Sequence, residues 1–130
     1  MSVIRPLRLL AVTAAMLAAP SVFAADAANG KAVFDRLCVI CHSATGEPGG
    51  PVTGPSLAGV VGRKAASVTG FPMYTQALKN HKVTWNAKTL DEFLANPMTK
   101  VPGTMMVMPV PDPKDRADVI AYLESLKAKK

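Results

Sequence analysis

The chain has 130 residues, two cysteines, and 15 lysines and arginines against 9 aspartates and glutamates, a formal net charge of +6. A chain of this length forms a single domain with a modest hydrophobic core. Its basic residues are dispersed rather than clustered in a stripe, which excludes nucleic acid as the expected partner and favours acidic protein surfaces.

The first segment, residues 1–24, has the pattern of a secretory signal peptide. Arg5 and Arg8 precede an apolar stretch over residues 9–19, and Val22-Phe23-Ala24 fits a small-residue cleavage site. The apolar stretch is shorter than the roughly 20 residues that span a bilayer, although an uncleaved anchor stays open as an alternative. Cleavage would leave one mature domain, residues 25–130.

The first predicted helix covers residues 29–38. Asn29 is suited to be its N-cap. Its apolar face consists of Val33, Phe34 and Leu37, which recur at helical spacing. This helix delivers the chain into the most informative motif of the sequence.

That motif is Cys38-Val39-Ile40-Cys41-His42, which has the C-x-x-C-H spacing of covalent c-type haem attachment. Two thiols two residues apart can add to the two vinyl groups of one porphyrin. The imidazole of His42 can then coordinate the iron. We therefore predict one covalently bound haem c.

Three other interpretations of the motif are weaker. A disulfide or a thioredoxin-like redox site is possible in an exported protein, but the latter adjoins a βαβ pattern, and no convincing strand is predicted here. A zinc site could combine Cys38, Cys41 and His42 with His81, yet the adjacent cysteine and histidine do not have the usual zinc-ligand spacing.

The middle of the chain alternates loops and short helices. Residues 43–70 are rich in Gly, Pro, Ser and Thr and predict a loop, followed by a short helical turn over residues 73–79. A clearer helix is predicted over residues 86–96, with Asn86 as N-cap and Pro97 ending it. Its apolar face consists of Leu90, Phe93 and Leu94.

Residues 101–109 form a loop in which Pro and Gly disfavour helix and which contains Met105, Met106 and Met108. A thioether ligand opposite histidine would complete a six-coordinate haem and raise its reduction potential. From the residues alone, the choice among the three methionines stays open.

The last predicted helix has the strongest local signals. Asp112 is its predicted N-cap, Pro113 occupies the first position, and Asp115 adds an acid to the first turn. Its apolar face consists of Val119, Ile120, Leu123 and Leu126.

Across residues 29–127 the sequence resembles the class I c-type cytochromes. The resemblance rests on the haem motif together with Gly54-Pro55-Ser56-Leu57, Gly62-Arg63-Lys64 and Pro102-Gly103-Thr104-Met105-Met106. It implies the all-α cytochrome c fold, with three to five helices and long loops wrapped around one haem. Its register implies that His42 and Met106 are the axial metal ligands.

The resemblance also implies a haem pocket beyond the ligands. The carbonyl of Pro55 would accept the outer ring N–H of His42. Tyr74 and Trp85 would donate hydrogen bonds to a buried propionate, and Arg63 would offset its charge. Two further predicted pocket residues are Phe93, where many relatives have tyrosine, and Thr104. Phe34 and Tyr122 resemble residues that pack where the first and last helices cross, near Gly30.

The sequence departs from mitochondrial relatives around the haem edge. Met98, Thr99 and Met105 stand where those relatives carry lysines, so we expect apolar contact with a partner there. In those relatives a loop lysine replaces the methionine ligand at high pH, and Lys100 is the one lysine in the corresponding segment here.

These observations predict a periplasmic electron carrier, not an enzyme, that passes single electrons between redox proteins. We expect a monomer with no small-molecule substrate. Two alternatives remain: a haem subunit of a larger periplasmic oxidoreductase, and a peroxidase-like or gas-binding protein. The second would need an open sixth coordination position, against which a methionine ligand argues.

Overall fold

The computed structural model describes residues 24–46 and 53–127, so the predicted signal peptide lies outside the described residues except for Ala24. The described chain forms five helices: α1 (Ala27–Leu37), α2 (Gln76–Asn80), α3 (Ala87–Ala95), α4 (Pro97–Lys100) and α5 (Pro113–Ser125). Within these residues, extended segments pair with each other at one isolated β-bridge, between Lys64 and Thr84. The prediction of an all-α cytochrome c fold with three to five helices is confirmed.

Helix α1 begins two residues earlier than predicted, and the prediction of Asn29 as N-cap is wrong. The carboxylate of Asp26 caps the helix instead, accepting hydrogen bonds from the backbone N–H groups of Ala28 at 2.8 Å and Asn29 at 3.2 Å. The Asn29 side chain is directed elsewhere and donates to Asp118 on α5 at 2.6 Å. Both residue types are good caps, so local sequence alone could not decide between them.

Helices α1 and α5 cross at Gly30, as expected. A β-carbon at residue 30 would lie 2.5 Å from the carbonyl carbon of Asp118 and 3.0 Å from the β-carbon of Tyr122. Beside this crossing the rings of Phe34 and Tyr122 pack edge to face, with centroids 5.4 Å apart. The missing side chain therefore permits the close approach of the two helices.

A buried carboxylate, that of Asp118, lies at the same crossing. It accepts hydrogen bonds from Lys114 Nζ at 2.5 Å, from the backbone N–H of Asp26 at 2.8 Å and from the side chain of Asn29. These bonds, that of Lys114 foremost, lower the pKa of Asp118 to about 2. The buried charge is thus satisfied by three donors.

The other helix boundaries follow their predicted caps closely. Asn86 forms a capping box with Thr89 at the start of α3, and Asp112 accepts from the Asp115 N–H at 2.8 Å at the start of α5. Helix α2 starts later than the predicted turn over residues 73–79. Pro97 ends α3 as predicted, but it also opens α4, which was not predicted.

The loop predicted over residues 43–70 contains turns and no helix in its described part, residues 43–46 and 53–70. The backbone N–H of Gly54 donates to the Cys41 carbonyl at 2.9 Å, which holds this loop against the C-x-x-C-H segment. The hydrophobic core joins α1, α3 and α5 to the loops and consists of Val33, Phe34, Val60, Trp85, Leu90, Phe93, Leu94, Val101, Val110, Val119, Ile120 and Leu123. None of the described helices is long and apolar enough to cross a bilayer.

Candidate haem site

A cavity of about 430 Å³ lies among four parts of the fold: the C-x-x-C-H segment, the loop before α2, helix α3, and residues 101–109, which we call the methionine loop. Protein interiors are normally packed with few voids larger than a water molecule, so a space of this size is suited to a large ligand. All ten predicted site residues lie on its wall: Cys38, Cys41, His42, Pro55, Arg63, Tyr74, Trp85, Phe93, Thr104 and Met106.

The two cysteines lie on a tight turn that ends α1 and are not joined in a disulfide. The backbone N–H groups of Cys41 and His42 both donate to the Cys38 carbonyl, at 3.0 and 2.9 Å. Burial, with a smaller contribution from the neighbouring Cys41, raises the pKa of the Cys38 thiol to about 11. Redox-active C-x-x-C thiols have a lowered pKa, so the thioredoxin-like alternative is disfavoured.

The zinc alternative also lacks support in the described part of the chain. No three His, Cys, Asp or Glu side chains there are grouped so that they could hold a metal ion. The ring of His81 instead packs against Trp85, with centroids 5.9 Å apart.

The ring of His42 is held in place by two neighbours on the loop. Its Nδ1 lies 2.7 Å from the carbonyl oxygen of Pro55. A β-carbon at Gly54 would lie 2.6 Å from Nδ1, so the bare backbone of Gly54 packs directly on the ring. Burial lowers the pKa of His42, the bond to Pro55 opposes this shift, and Arg63 adds to it. The neutral ring can therefore donate from Nδ1 and keep the Nε2 lone pair for a metal.

The three methionines of the ligand loop differ in burial. Met105 and Met108 are 61% and 49% exposed, whereas Met106 is half-buried and packs against the hydrophobic core. The backbone N–H of Met106 donates to the hydroxyl of Thr104 at 3.2 Å. Of the three candidates, Met106 is thus the one whose side chain packs inward.

The predicted propionate-binding residues place donors and a cation on the cavity wall. Arg63 donates to the carbonyl oxygens of Ala58 at 3.1 Å and Ser56 at 2.9 Å, and burial lowers its pKa. The hydroxyl of Tyr74 accepts from the Val68 N–H at 3.2 Å, which leaves its own proton free to donate. A buried carboxylate requires such partners, so this wall fits a haem propionate.

Trp85 is the third predicted propionate-binding residue on this wall. It is a buried residue whose ring packs on Phe93, with centroids 5.2 Å apart. Among the described residues no buried polar side-chain atom lacks a hydrogen-bond partner. The indole N–H of Trp85 makes no hydrogen bond within the described residues, so it is not fully buried. Because Trp85 lines the cavity, this N–H is available for a ligand that accepts a hydrogen bond.

Some wall residues were not predicted from the sequence. Gly54 was noted for its loop-forming dipeptide with Pro55, but its contact with the His42 ring was not anticipated. Leu78 on α2 and Lys64 also line the cavity. Gly54 directly precedes Pro55, the residue expected to accept a hydrogen bond from His42. This position is the signal that could have identified the contact of Gly54 with the His42 ring.

Comparison with known proteins agrees with this geometry. The family model described as Cytochrome c matches residues 27–127. Cytochrome c2 of Rhodomicrobium vannielii is 44% identical over 121 residues, covering 92% of this chain and 94% of that protein. Cytochrome c of Cannabis sativa is 40% identical over 104 residues, covering 79% of this chain and 92% of that protein.

A third relative is longer. The protein named Cytochrome c-type cyt cy from Rhodobacter capsulatus is 42% identical over 108 residues, which cover 82% of this chain. The chain spans about half, 52%, of that relative's length. The relation to it therefore concerns one part of a larger protein.

Proposed function

Because the chain belongs to the cytochrome c family as a class I c-type cytochrome, we propose that it carries single electrons between periplasmic redox proteins with His42 and Met106 as axial ligands. Proteins of this family are electron carriers rather than enzymes, and they hold one covalent haem c. Cys38 and Cys41 supply the two attachment points of the C-x-x-C-H motif.

The observation that carries the ligand assignment is the pairing of an oriented histidine with an inward methionine on one cavity. Pro55 and Gly54 fix the His42 ring and leave Nε2 as its free nitrogen. All three methionines border the cavity, but Met106 packs against the hydrophobic core, while Met105 and Met108 are more exposed. An imidazole and a thioether on haem iron favour the ferrous state and supply a raised reduction potential.

The remaining wall residues support the same function. Arg63, Tyr74 and Trp85 would compensate the charge of a buried propionate and orient the group. Phe93 packs against Trp85 and adds apolar surface to the cavity wall. A well-packed surrounding would keep the structural change between the two oxidation states small, as an electron carrier requires.

We further propose export to the periplasm as a single domain of residues 25–130, after cleavage of a signal peptide over residues 1–24. The sequence pattern around Arg5, Arg8 and the small residues before Ala25 supports this location. Amino-terminal sequencing of the exported protein tests it, and a protein that still begins at Met1 would contradict it.

A haem subunit of a larger periplasmic oxidoreductase is the second candidate, considered because this chain spans only about half, 52%, of the Rhodobacter capsulatus relative. It would use the same site, and the purified protein would be recovered in a stable complex rather than as a monomer. A peroxidase-like or gas-binding function would need an open sixth position, and a methionine that packs inward, Met106, argues against one.

The test of the proposed function is the absorption spectrum of the purified protein in both redox states. We expect reversible conversion between six-coordinate ferric and ferrous spectra, with haem remaining on the chain in a denaturing gel. Carbon monoxide binding to the ferrous protein at neutral pH would show an open coordination position and contradict the ligand assignment.

A further inference from the structure

The methionines of the described chain are mostly exposed. Of the seven in the sequence, Met1 and Met16 lie in the predicted signal peptide and five lie in the described residues. Met106 is half-buried against the hydrophobic core. The other four, which we call the exposed methionines, are between 39% and 61% exposed: Met73, Met98, Met105 and Met108. An apolar side chain left in water adds little to the core, so packing does not account for these four.

Three of the exposed methionines share the cavity wall with Met106. Met73 precedes α2, and Met105 and Met108 lie on either side of Met106 in the methionine loop. Met98 lies on α4 and is not among the described residues that line the cavity. The candidate sixth ligand therefore has neighbours of its own chemical type that are more accessible than it is.

Thioether sulfur is open to oxidation. An electrophilic oxidant takes up the lone pair of the sulfur atom, and the product is methionine sulfoxide, which is polar. In the proposed function the lone pair of Met106 is donated to iron, and its side chain packs on the core. The exposed methionines have neither form of protection, so they should react first.

Few other readily oxidised groups are exposed in the described residues. Cys38 and Cys41, the two cysteines of the sequence, are half-buried, and haem attachment would convert both thiols into thioethers. Trp85, the one tryptophan, is buried, and Tyr74 and Tyr122 are half-buried. The exposed methionines are thus the most accessible targets for such an oxidant.

Oxidation of Met106 itself would damage the site. A thioether on haem iron raises the reduction potential, and a polar sulfoxide would not reproduce that ligand. Because oxidant is consumed by whichever sulfur reacts fastest, four accessible thioethers on the same chain would spare the fifth.

We propose that Met73, Met98, Met105 and Met108 are oxidation sites that consume hypochlorous acid and related electrophilic oxidants before Met106 is oxidised. The protective role rests on the proposed function, in which Met106 is the sixth ligand. In each reaction the sulfur lone pair attacks the chlorine of HOCl and displaces hydroxide. Water then adds to sulfur as chloride leaves. Sulfur loses two electrons, chlorine gains two, and the products are sulfoxide, chloride and one proton.

The test titrates the ferric holoprotein with hypochlorous acid, stops the reaction with free methionine and follows the far-red band of the sulfur–iron bond. Peptide mass spectrometry locates the sulfoxides in the same samples. In wild type we expect sulfoxide on the exposed methionines at doses that leave Met106 and the band intact. The variant Met73→Leu/Met98→Leu/Met105→Leu/Met108→Leu nearly conserves side-chain volume but removes four sulfurs. It should lose half of the band at a dose at least about twofold smaller.

The matched control is Val107→Leu, at an exposed position of the methionine loop next to Met106. It changes an apolar side chain but keeps every sulfur, so it should tolerate the same dose as wild type. Equal tolerance in wild type and the quadruple variant would overturn the proposal. An equal loss of tolerance in Val107→Leu and the quadruple variant would show that repacking of the loop is responsible, and this too would overturn it.

The sulfoxide map gives a further decisive outcome. If sulfoxide appears on Met106 at the same doses as on the exposed methionines, they do not react first and the proposal is wrong. Failure of the proposed function looks different: the untreated ferric wild type would lack the far-red band, so Met106 would not be the sixth ligand and the protective role would fall with that assignment. If the untreated band is present and only the dose difference is missing, the ligand assignment stands and the protective role is wrong.

Discussion

The side-chain amide of Asn29 donates a 2.6 Å hydrogen bond to the carboxylate of Asp118, a residue 89 positions further along the chain. The same carboxylate binds the backbone N–H of Asp26. One buried acid thus fastens the first turn of α1 to the middle of α5. The stability of the helix crossing should depend on its charge.

We therefore predict that Asp118→Asn lowers the thermal unfolding midpoint of the holoprotein at neutral pH by several degrees. The pKa of Asp118 is about 2 in the folded protein against an ordinary value of 3.8, so the unfolded chain binds the proton more readily. The contribution of the carboxylate to the free energy of unfolding is complete above pH 3.8 and is lost as the pH falls towards 2.

The measurement is the difference in midpoint between wild type and Asp118→Asn from pH 7 down to pH 2, which should narrow below pH 4. Asp35→Asn, which breaks an exposed pair with Lys31, should change little at any pH. A wild-type advantage that stays constant to pH 2 would refute the role assigned to the charge.

A second prediction concerns the helix crossing itself. Alanine is ordinarily about 1 kcal/mol better than glycine in a helix. Gly30→Ala should nevertheless destabilise the holoprotein by about 2 kcal/mol or more, because the new β-carbon meets the Asp118 backbone at 2.5 Å. Urea unfolding measures this change.

The control for this prediction is Ala32→Gly, at an exposed position of α1. This variant should be destabilised only by the lower helix propensity of glycine, about 1 kcal/mol. A Gly30→Ala protein as stable as wild type would mean that the two helices can separate without cost.

A third prediction tests the sixth ligand. Met106→Ala should abolish the weak far-red absorption band of the sulfur–iron bond in the ferric protein. Met105→Ala and Met108→Ala should retain it, because both side chains are exposed. An unchanged far-red band in Met106→Ala would contradict the assignment of Met106 as the sixth ligand.

A fourth prediction concerns high pH. Replacement of the methionine ligand requires a neutral lysine amine close to the iron. Lys100, the one lysine near Met106 in sequence, is already bound to Glu92, and this contact lowers the pKa of Glu92. We expect the far-red band of wild type to persist to higher pH than that of Met105→Lys, which restores an amine beside Met106. Titration of both proteins above pH 8 gives the comparison, and coincident curves would show that missing lysines do not govern the exchange.

The sequence predicted those helices whose signals are local. Asn86 and Asp112 stand directly before their helices, so the start of α3 and of α5 followed from a few adjacent residues. The start of α1 was misplaced because the role of Asn29 depends on Asp118, which no local pattern connects to it. Helix α4 was missed because Pro97 both ends one helix and suits the first turn of the next.

The site was more predictable than the contacts that support it. The ten predicted wall residues came from short motifs and from the resemblance to a family. The choice of Met106 over Met105 came from the resemblance alone, because an irregular loop has no periodicity from which its residues could assign faces. Ion pairs such as that of Arg36 with Asp115 were equally unpredictable from the sequence, because they join distant parts of the chain.

The contact between α1 and α5 closes the chain between them into one long loop, which we call the ring. Closing a flexible loop of the 89 positions between Asn29 and Asp118 costs about 4 kcal/mol of chain entropy plus a constant. Nearly all of the cavity wall belongs to this ring. A haem attached at Cys38 and Cys41 and bound by Met106 would divide it into shorter loops. The order of these closures, rather than the strength of any one helix, should therefore set how fast the chain folds.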